Sequence, residues 1–347
     1  MPQGVLIMRS TVLDGFAVNP GDLSWDFLSR FGEYSVYDST PPELVAERLS
    51  GTDIVLTNRV KITPALLDSC KSIKFVTALG TGYDMIDIRA CRERGVEVCN
   101  APGYSTDSVA QLAFSLLLAL TNDLNGFRKI VRDGGWTGVP GIAYQQIPCM
   151  ELAGKTVGVY GCGAIGKRFG ELCRAFGMRV LAYDKFPDPG SGLCYAALPE
   201  LFHQADVISL HCPLTDETQH MIDAAAIAGM KPGVVIVNTS RGALVDTEAL
   251  IEGLRSRKIG AACLDVYEEE AELFYEDRSE AIIEDDTLVR LIAMPNVIVS
   301  SHQAFLTKEA LNNIAAVTVD NLLKFGRGEP SPDTEVCAPK EQDQRRS

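Results

Sequence analysis

Arg241, a carboxylate from the run Glu268-Glu269-Glu270, and His302 are the residues whose types could together do acid–base chemistry on a small anion. Arg241 lies in a Ser-Arg-Gly turn after an apolar run. Its planar fork could hold a carboxylate by two parallel hydrogen bonds and still reach a neighbouring keto oxygen. A glutamate from the run could pair with His302, favour its protonated form and fix its ring. His302 would then act as general acid for ketone reduction and as general base for the reverse. Taken one at a time, the same residues read first as a surface arginine, a solvated acidic run and a satisfied histidine.

Such a set needs a frame, and the clearest element of one is Val157-Gly158-Val159-Tyr160-Gly161-Cys162-Gly163-Ala164-Ile165-Gly166. An apolar strand turns through glycines at G-x-G-x-x-G spacing into a helical pattern with Ile165, Phe169, Leu172, Cys173 and Phe176 on one face. Gly161 permits the turn, Gly163 lets a pyrophosphate approach the backbone, and Gly166 lets helix and strand pack closely. The helix N-terminus offers free N–H groups and partial positive charge to a phosphate. A second apolar run, residues 178–183, ends at Asp184, 23 residues after Gly161. That is where an acid would accept from the adenosine ribose hydroxyls. Asp184 favours NAD over NADP, because a carboxylate repels a 2′-phosphate; Lys185 softens the preference. Cys162, inside the turn, reads as a tolerated small residue before it reads as a redox thiol.

The chain has 347 residues, room for two domains with real cores, and its 46% hydrophobic content describes a globular protein. A formal charge of −14 argues against nucleic acid and anionic membrane as partners. The longest apolar stretch, residues 112–120, is too short to span a bilayer. The start of the chain lacks a signal-peptide pattern, so a cytoplasmic location is expected. Ten cysteines without a C-x-x-C pair suit a reducing compartment, and neither they nor the four histidines have zinc-site spacing, so no metal is expected.

In the first third, residues 5–8, 35–37, 53–56, 74–78 and 96–99 read as strands, and residues 42–49 and 63–69 as helices. Thr63-Pro64 supplies a cap and a proline at the first helical position. Leu79-Gly80-Thr81-Gly82 could offer backbone N–H groups to a carboxylate, and residues 100–105 follow the next strand; either could be a plain turn. A long helix is expected over 106–121, with a length and apolarity that suit a domain or subunit contact. An irregular Gly- and Pro-rich excursion is expected from Gly134 to Cys149. Beyond Asp184, strands at 206–210, 234–238, 260–264 and 296–299 alternate with helices at 224–228, 246–257 and 286–293. That alternation predicts doubly wound parallel sheets, α/β in class, with Arg241, Asp265 and His302 at C-terminal strand ends facing a ligand crevice.

Four ordered segments, Gly161 to Gly166, Val237-Asn238-Thr239-Ser240-Arg241-Gly242, Leu264 to Glu270 and Ser301-His302-Gln303-Ala304-Phe305, resemble the D-isomer-specific 2-hydroxyacid dehydrogenase family over nearly the whole chain. The resemblance implies Arg241 on the substrate carboxylate and carbonyl, Glu270 as partner of the histidine, and His302 as the acid/base. It implies NAD held at Gly161, Gly163, Ala164, Ile165, Gly166, Asp184, Cys212, Pro213, Thr218, Thr239, Ser240, Arg241 and Asp265. Substrate would meet Gly80, Thr81, Gly82, Tyr104 and Phe305. It further implies two Rossmann-like domains: a substrate domain of residues 1–104 and 306–347, and an inserted NAD-binding domain of 105–305 that closes with it over the substrate. A homodimer is the family's usual state.

Within the family, residues 273–279 and 302–307 resemble D-lactate dehydrogenases, whereas residues 79–83 and 104–111 resemble hydroxypyruvate reductases and glycerate dehydrogenases. Leu79 stands where the lactate enzymes carry an arginine. Reversible hydride transfer between NADH and a small 2-keto acid is therefore expected, with pyruvate first, then hydroxypyruvate or glyoxylate. An NAD-sensing scaffold or co-repressor is the reading from another class.

Overall fold

In the computed structural model, the described residues are 8–19, 21, 24–134, 149–270 and 284–338. The expected excursion at 134–149 and the motif at 273–279 lie almost wholly outside them. The chain divides into two compact units, one built from residues up to Ser105 and from Phe305 onward, the other lying between Thr106 and Ala304.

The first unit holds a six-stranded sheet of β1 (Ser10–Val12), β2 (Tyr34–Val36), β3 (Ile54–Thr57), β4 (Phe75–Ala78) and β5 (Glu97–Cys99), with β13 (Glu335–Cys337) at one edge. Its spatial order is β13-β5-β4-β3-β1-β2. All pairs are parallel except β13 with β5. Side chains alternate across this sheet, as a pleat requires. Ile54, Leu56, Phe75 and Cys99 enter one apolar cluster, while Val55, Val76 and Val98 enter another. Both faces are therefore covered, which explains why these strands read as near-continuous apolar runs.

The strand expected at 5–8 lies outside the described residues except for Met8. Strand β1 lies at Ser10–Val12, in a stretch that looks polar, because Ser10 and Thr11 are buried and the Thr11 hydroxyl is satisfied by that of Thr52 at 2.7 Å. Thr63 caps the helix Pro64–Ser69, its hydroxyl accepting from the Leu66 N–H. The helix Lys308–Arg327 starts at the Thr307 cap and lays Leu311, Ile314 and Leu322 into the cluster that contains Phe75.

The second unit is a seven-stranded, all-parallel sheet of β6 (Thr156–Tyr160), β7 (Arg179–Tyr183), β8 (Cys194–Tyr195), β9 (Val207–Leu210), β10 (Val234–Asn238), β11 (Ile259–Leu264) and β12 (Val297–Val299). The order is β12-β11-β10-β9-β6-β7-β8. The direction of winding reverses between β6 and β9, and a doubly wound sheet opens its ligand crevice at such a switch. Three of the helices are started by aspartates: Asp223, Asp246 and Asp285 each accept backbone N–H groups at helix N-termini. The helix Thr106–Asn122 lies wholly in this unit. It buries Ala113, Phe114 and Leu117, and Phe114 meets the rings of Phe169 and Phe176 edge-on at 6.3 and 4.7 Å. Phe176, expected on the buried face of the helix Ala164–Ala175, is its half-exposed C-cap instead. Truncating the fully buried Phe169 would cost about 3–5 kcal/mol. Among the described residues, no helix is long and apolar enough to cross a membrane, and no cluster of three His, Cys, Asp or Glu could hold a metal.

Candidate active site

The glycine turn sits at the switch between β6 and β9. Gly161 has φ +90°, and a side chain there would meet the backbone of His211 and Cys212 at 2.6 Å, so two strand ends touch with nothing between them. A methyl on Gly166 would lie 2.0 Å from the Gly161 carbonyl oxygen, which fixes the helix Ala164–Ala175 tightly on its strand. Gly163 is different: added atoms there would meet nothing within 4 Å, and it caps the helix without a side-chain bond. Ala164 and Ile165 follow in the first turn, where N–H groups have no helical partner.

Asp184 follows β7 and is half-buried. Its carboxylate accepts from the Cys162 N–H at 2.6 Å and the Phe186 N–H at 2.9 Å, and an ionised carboxylate has about four acceptor sites, so capacity remains for ribose hydroxyls. Lys185 beside it pairs with Glu217 at 2.5 Å. Cys162 is buried, its Sγ donates to the Tyr183 carbonyl, and burial pushes its thiol up to about 11. Burial and a raised thiol are the setting of a small packed residue.

Cys212 is buried after β9, Pro213 is exposed, and Thr218 closes the loop by donating to the Pro213 carbonyl at 2.8 Å. Ser240 donates to the Cys212 carbonyl at 2.6 Å, tying the end of β10 to the end of β9. The Thr239 hydroxyl is buried and has no hydrogen-bond partner among the described residues, an orphan of the kind that a ligand satisfies. An open glycine at a helix N-terminus, an acid with spare acceptor sites and an orphaned hydroxyl together fit a dinucleotide.

Arg241 leaves the end of β10 half-buried. Asn238 holds its turn from inside, the amide donating to the Arg241 carbonyl at 2.8 Å and the amide oxygen accepting from the Ser240 N–H. The guanidinium donates to the Ser240 carbonyl at 2.8 Å.

Asp265 follows β11 directly and is almost fully buried. One carboxylate oxygen accepts from the Ser300 hydroxyl at 2.7 Å and the Gln303 N–H at 2.8 Å, and the other from the Ala304 N–H at 2.9 Å. The His302 N–H donates to the Asp265 carbonyl. Asp265, expected as an NAD contact, also holds the histidine loop. That loop needs holding, because Ser301 (φ +51°) and His302 (φ +57°) both occupy the left-handed region. Such residues cost about 1–3 kcal/mol each and persist only where surroundings over-determine them.

The His302 ring meets Glu270 through Nδ1 at 2.8 Å, and Glu270 is fixed in turn by accepting from the Tyr267 N–H at 3.0 Å. The ring is thus oriented through Nδ1, which turns Nε2 to the side away from Glu270. Strands β10, β11 and β12 are neighbours, so Arg241, Asp265 and His302 stand on consecutive C-terminal strand ends.

In the first unit, Asn58 donates to the Leu79 carbonyl at 2.6 Å and Asn100 to the Thr81 carbonyl at 2.7 Å. The Thr81 hydroxyl bonds the Ala101 carbonyl. No protein acceptor among the described residues takes the N–H groups of Gly80, Thr81 or Gly82, which leaves them available to an anion. Asp14, buried after β1, accepts from the N–H groups of Asn58, Arg59 and Val60 and so sets the loop that carries Asn58. Leu79 is 1% exposed and belongs to the core. Tyr104 and Phe305 meet edge-on at 6.3 Å, with Asn313 donating to the Tyr104 carbonyl.

Residues that sequence reasoning did not single out are Asn58, Asp14 and His220, whose ring Nε2 bonds Glu268 of the acidic run. None carries a motif or a period; only their partners in space mark them.

The family model described as "D-isomer specific 2-hydroxyacid dehydrogenase, NAD binding domain" matches residues 114–304. A hydroxypyruvate reductase from Blautia hydrogenotrophica is 38% identical over 329 residues, covering 93% of this chain and 98% of that protein. A D-lactate dehydrogenase from Escherichia coli is 38% identical over 307 residues, 87% of this chain and 92% of that protein. Among solved structures, a D-lactate dehydrogenase from Aquifex aeolicus, complexed with NAD and lactic acid, has a TM-score of 0.84 at 30% identity, covering 96% of this chain and all of that one.

Proposed function

The chain belongs to the D-isomer-specific 2-hydroxyacid dehydrogenase family, and from that premise we propose that it reversibly reduces a small 2-keto acid to its D-2-hydroxy acid, pyruvate and D-lactate being the first pair. It is an oxidoreductase acting on the CH–OH group of donors, with NAD as cofactor. The bound nicotinamide supplies or takes up the hydride. Gly161, Gly163, Ala164, Ile165 and Gly166 would hold the pyrophosphate, and Asp184 the ribose. Cys212, Pro213, Thr218, Thr239, Ser240 and Asp265 complete the proposed cofactor set.

The observation that carries this reading is the His302–Glu270 pair at 2.8 Å, one strand end from Asp265 and two from Arg241. Arg241 would hold the substrate carboxylate and polarise its carbonyl, and His302 would deliver a proton from Nε2 to the developing alkoxide. Glu270 would orient the ring and stabilise its charged form. The Gly80–Gly82 N–H groups would share the carboxylate, with Tyr104 and Phe305 bordering the substrate.

Hydroxypyruvate or glyoxylate is the second reading, and burial of Leu79 favours it. Where the lactate enzymes bring an arginine to the substrate loop, this loop brings backbone N–H groups alone. A homodimer is proposed from the family and from the exposed Leu124, Phe127 and Val131 on one side of the helix Leu124–Arg132. A cytoplasmic location is proposed from the ten free cysteines.

The test is NADH oxidation against pyruvate, hydroxypyruvate, glyoxylate and bulkier 2-keto acids, with His302→Ala as control. One acid should turn over well, and His302→Ala should lose about 10²–10⁴ of that rate while still binding NADH. Binding of NADH with no turnover of any keto acid would favour the NAD-sensing scaffold instead.

A further inference from the structure

The three consecutive glutamates do not share one fate. Glu269 is exposed, Glu270 reaches His302, and Glu268 turns to a different histidine. One Glu268 oxygen meets the His220 ring at Nε2; the other accepts the Thr247 hydroxyl at 2.8 Å and lies 3.4 Å from the Thr247 N–H. Thr247 is the first residue of the helix Thr247–Arg255.

His220 belongs to a segment that runs beside the turn following Arg241. The His220 N–H donates to the Ala243 carbonyl at 2.8 Å, the Ile222 N–H to the Leu244 carbonyl at 3.1 Å, and the Asp246 N–H back to Ile222 at 3.1 Å. His220 is held at φ +50°, a conformation that needs external support. Between them lies Gly242, where a side chain would fall 2.1 Å from the Tyr267 carbonyl carbon and 2.3 Å from the Glu268 nitrogen. The backbone carrying Arg241 therefore rests directly on the backbone leading to Glu270.

We propose that His220, Glu268 and Thr247 form a clamp that sets the Arg241 turn against the segment carrying Glu270, and so fixes the carboxylate anchor relative to the proton-delivering imidazole. They are positioning residues, acting through Arg241 and Glu270. The clamp rests on the reading of Arg241 and His302 given above.

The titratable groups facing His220 are Glu268 and, farther off, Asp246, both acidic. The hydrogen bond to Glu268, and after it the charges of Glu268 and Asp246, hold the His220 imidazole above its ordinary value of 6.5. The sign follows: the charged pair is fully made below that ordinary value and is lost as pH rises through the raised one.

The experiment compares His220→Gln, Glu268→Gln, the double variant and the milder Thr247→Val in the full chain. Pyruvate and hydroxypyruvate serve as probes, and NADH binding is measured by fluorescence. Each Gln variant should raise KM for the keto acid about 10-fold, the scale of a lost hydrogen bond to a charged group, with NADH affinity held within about 2-fold. The double variant should be no worse than either single one, since all three break one interaction. The parent-to-variant ratio of kcat/KM should shrink as pH rises past the His220 titration. Thr247→Val should shift KM in the same direction by less. Unchanged KM in all variants overturns the clamp, as does a loss that is independent of pH or that falls equally on NADH. Retained turnover in His302→Ala overturns the reading beneath the clamp, and the clamp with it; a dead His302→Ala beside a normal Glu268→Gln overturns the clamp alone.

Discussion

Gly242→Ala is the smallest change that should reach the chemistry without touching a reacting group. The added methyl would lie 2.1 Å from the Tyr267 carbonyl carbon, 2.2 Å from its oxygen and 2.3 Å from the Glu268 nitrogen. All three are backbone atoms that no rotamer change can move. Ordinary contact begins at 3.4 Å, so the turn and the segment must part by roughly 1 Å or more. Arg241 is the adjacent residue and must follow. A misplacement of about 1 Å can cost about 100-fold in rate, or ~2.7 kcal/mol in the barrier. We therefore expect kcat/KM for the keto acid to fall about 100-fold. NADH affinity should move less, because most of the proposed cofactor set, Gly161–Gly166, Asp184, Cys212, Pro213 and Thr218, follows β6, β7 and β9 rather than β10 or β11. Overpacking should also lower stability by about 1–3 kcal/mol, which a melting curve would register. Steady-state kinetics with an NADH titration decide the matter. A folded variant whose kcat/KM lies within about 3-fold of the parent would refute the claim that backbone contact at Gly242 sets Arg241.

Asp265→Asn should release the histidine loop. An amide must aim its NH₂ at one of the N–H donors of Ser300–Ala304, and that mismatch costs about 1–3 kcal/mol, comparable to the strain in Ser301 and His302; turnover should drop more than NADH affinity, and equal turnover would show the loop to be held otherwise. Brief alkylation near pH 8 followed by mass spectrometry should label the exposed Cys149 and Cys194 and spare Cys162, whose burial raises its thiol to about 11. Early labelling of Cys162 would restore it as a redox candidate.

Much of the second unit was legible because its strands are buried on both faces and bounded by glycine turns and aspartate caps. The strands β9, β10 and β11 fall within a residue or so of the apolar runs that mark them. The elements that escaped are those where apolar content and structure part company. Strand β1 is built partly from hydroxyl residues, and β8 and β13 span two and three residues, too few for a period to register. Strand β13 is also antiparallel, joining the sheet from the far end of the chain. Nothing in strand–helix alternation announces such an edge.

The histidines show where legibility in the site ends. The chain has four. His203 is exposed on the helix Leu198–Gln204. His211 packs 5.0 Å from the Phe169 ring and bonds the Ser209 hydroxyl, and burial drops its imidazole to about 3, which favours the neutral ring. His220 and His302 each face a glutamate from the same short run, two residues apart, on opposite errands. A side chain's direction in a turn is set by backbone angles that no periodicity encodes, so the letters Glu268-Glu269-Glu270 cannot say which carboxylate serves which ring. Family resemblance singled out Glu270 and said nothing of Glu268. The physical difference lies in the backbone: Glu270 is drawn back onto the Tyr267 N–H, whereas Glu268 is drawn across to Thr247. What the sequence withholds here is therefore geometry and not chemistry. Both acids were visible as candidates, but only Gly242, by letting two backbones meet, gives the second one a way to act on the first.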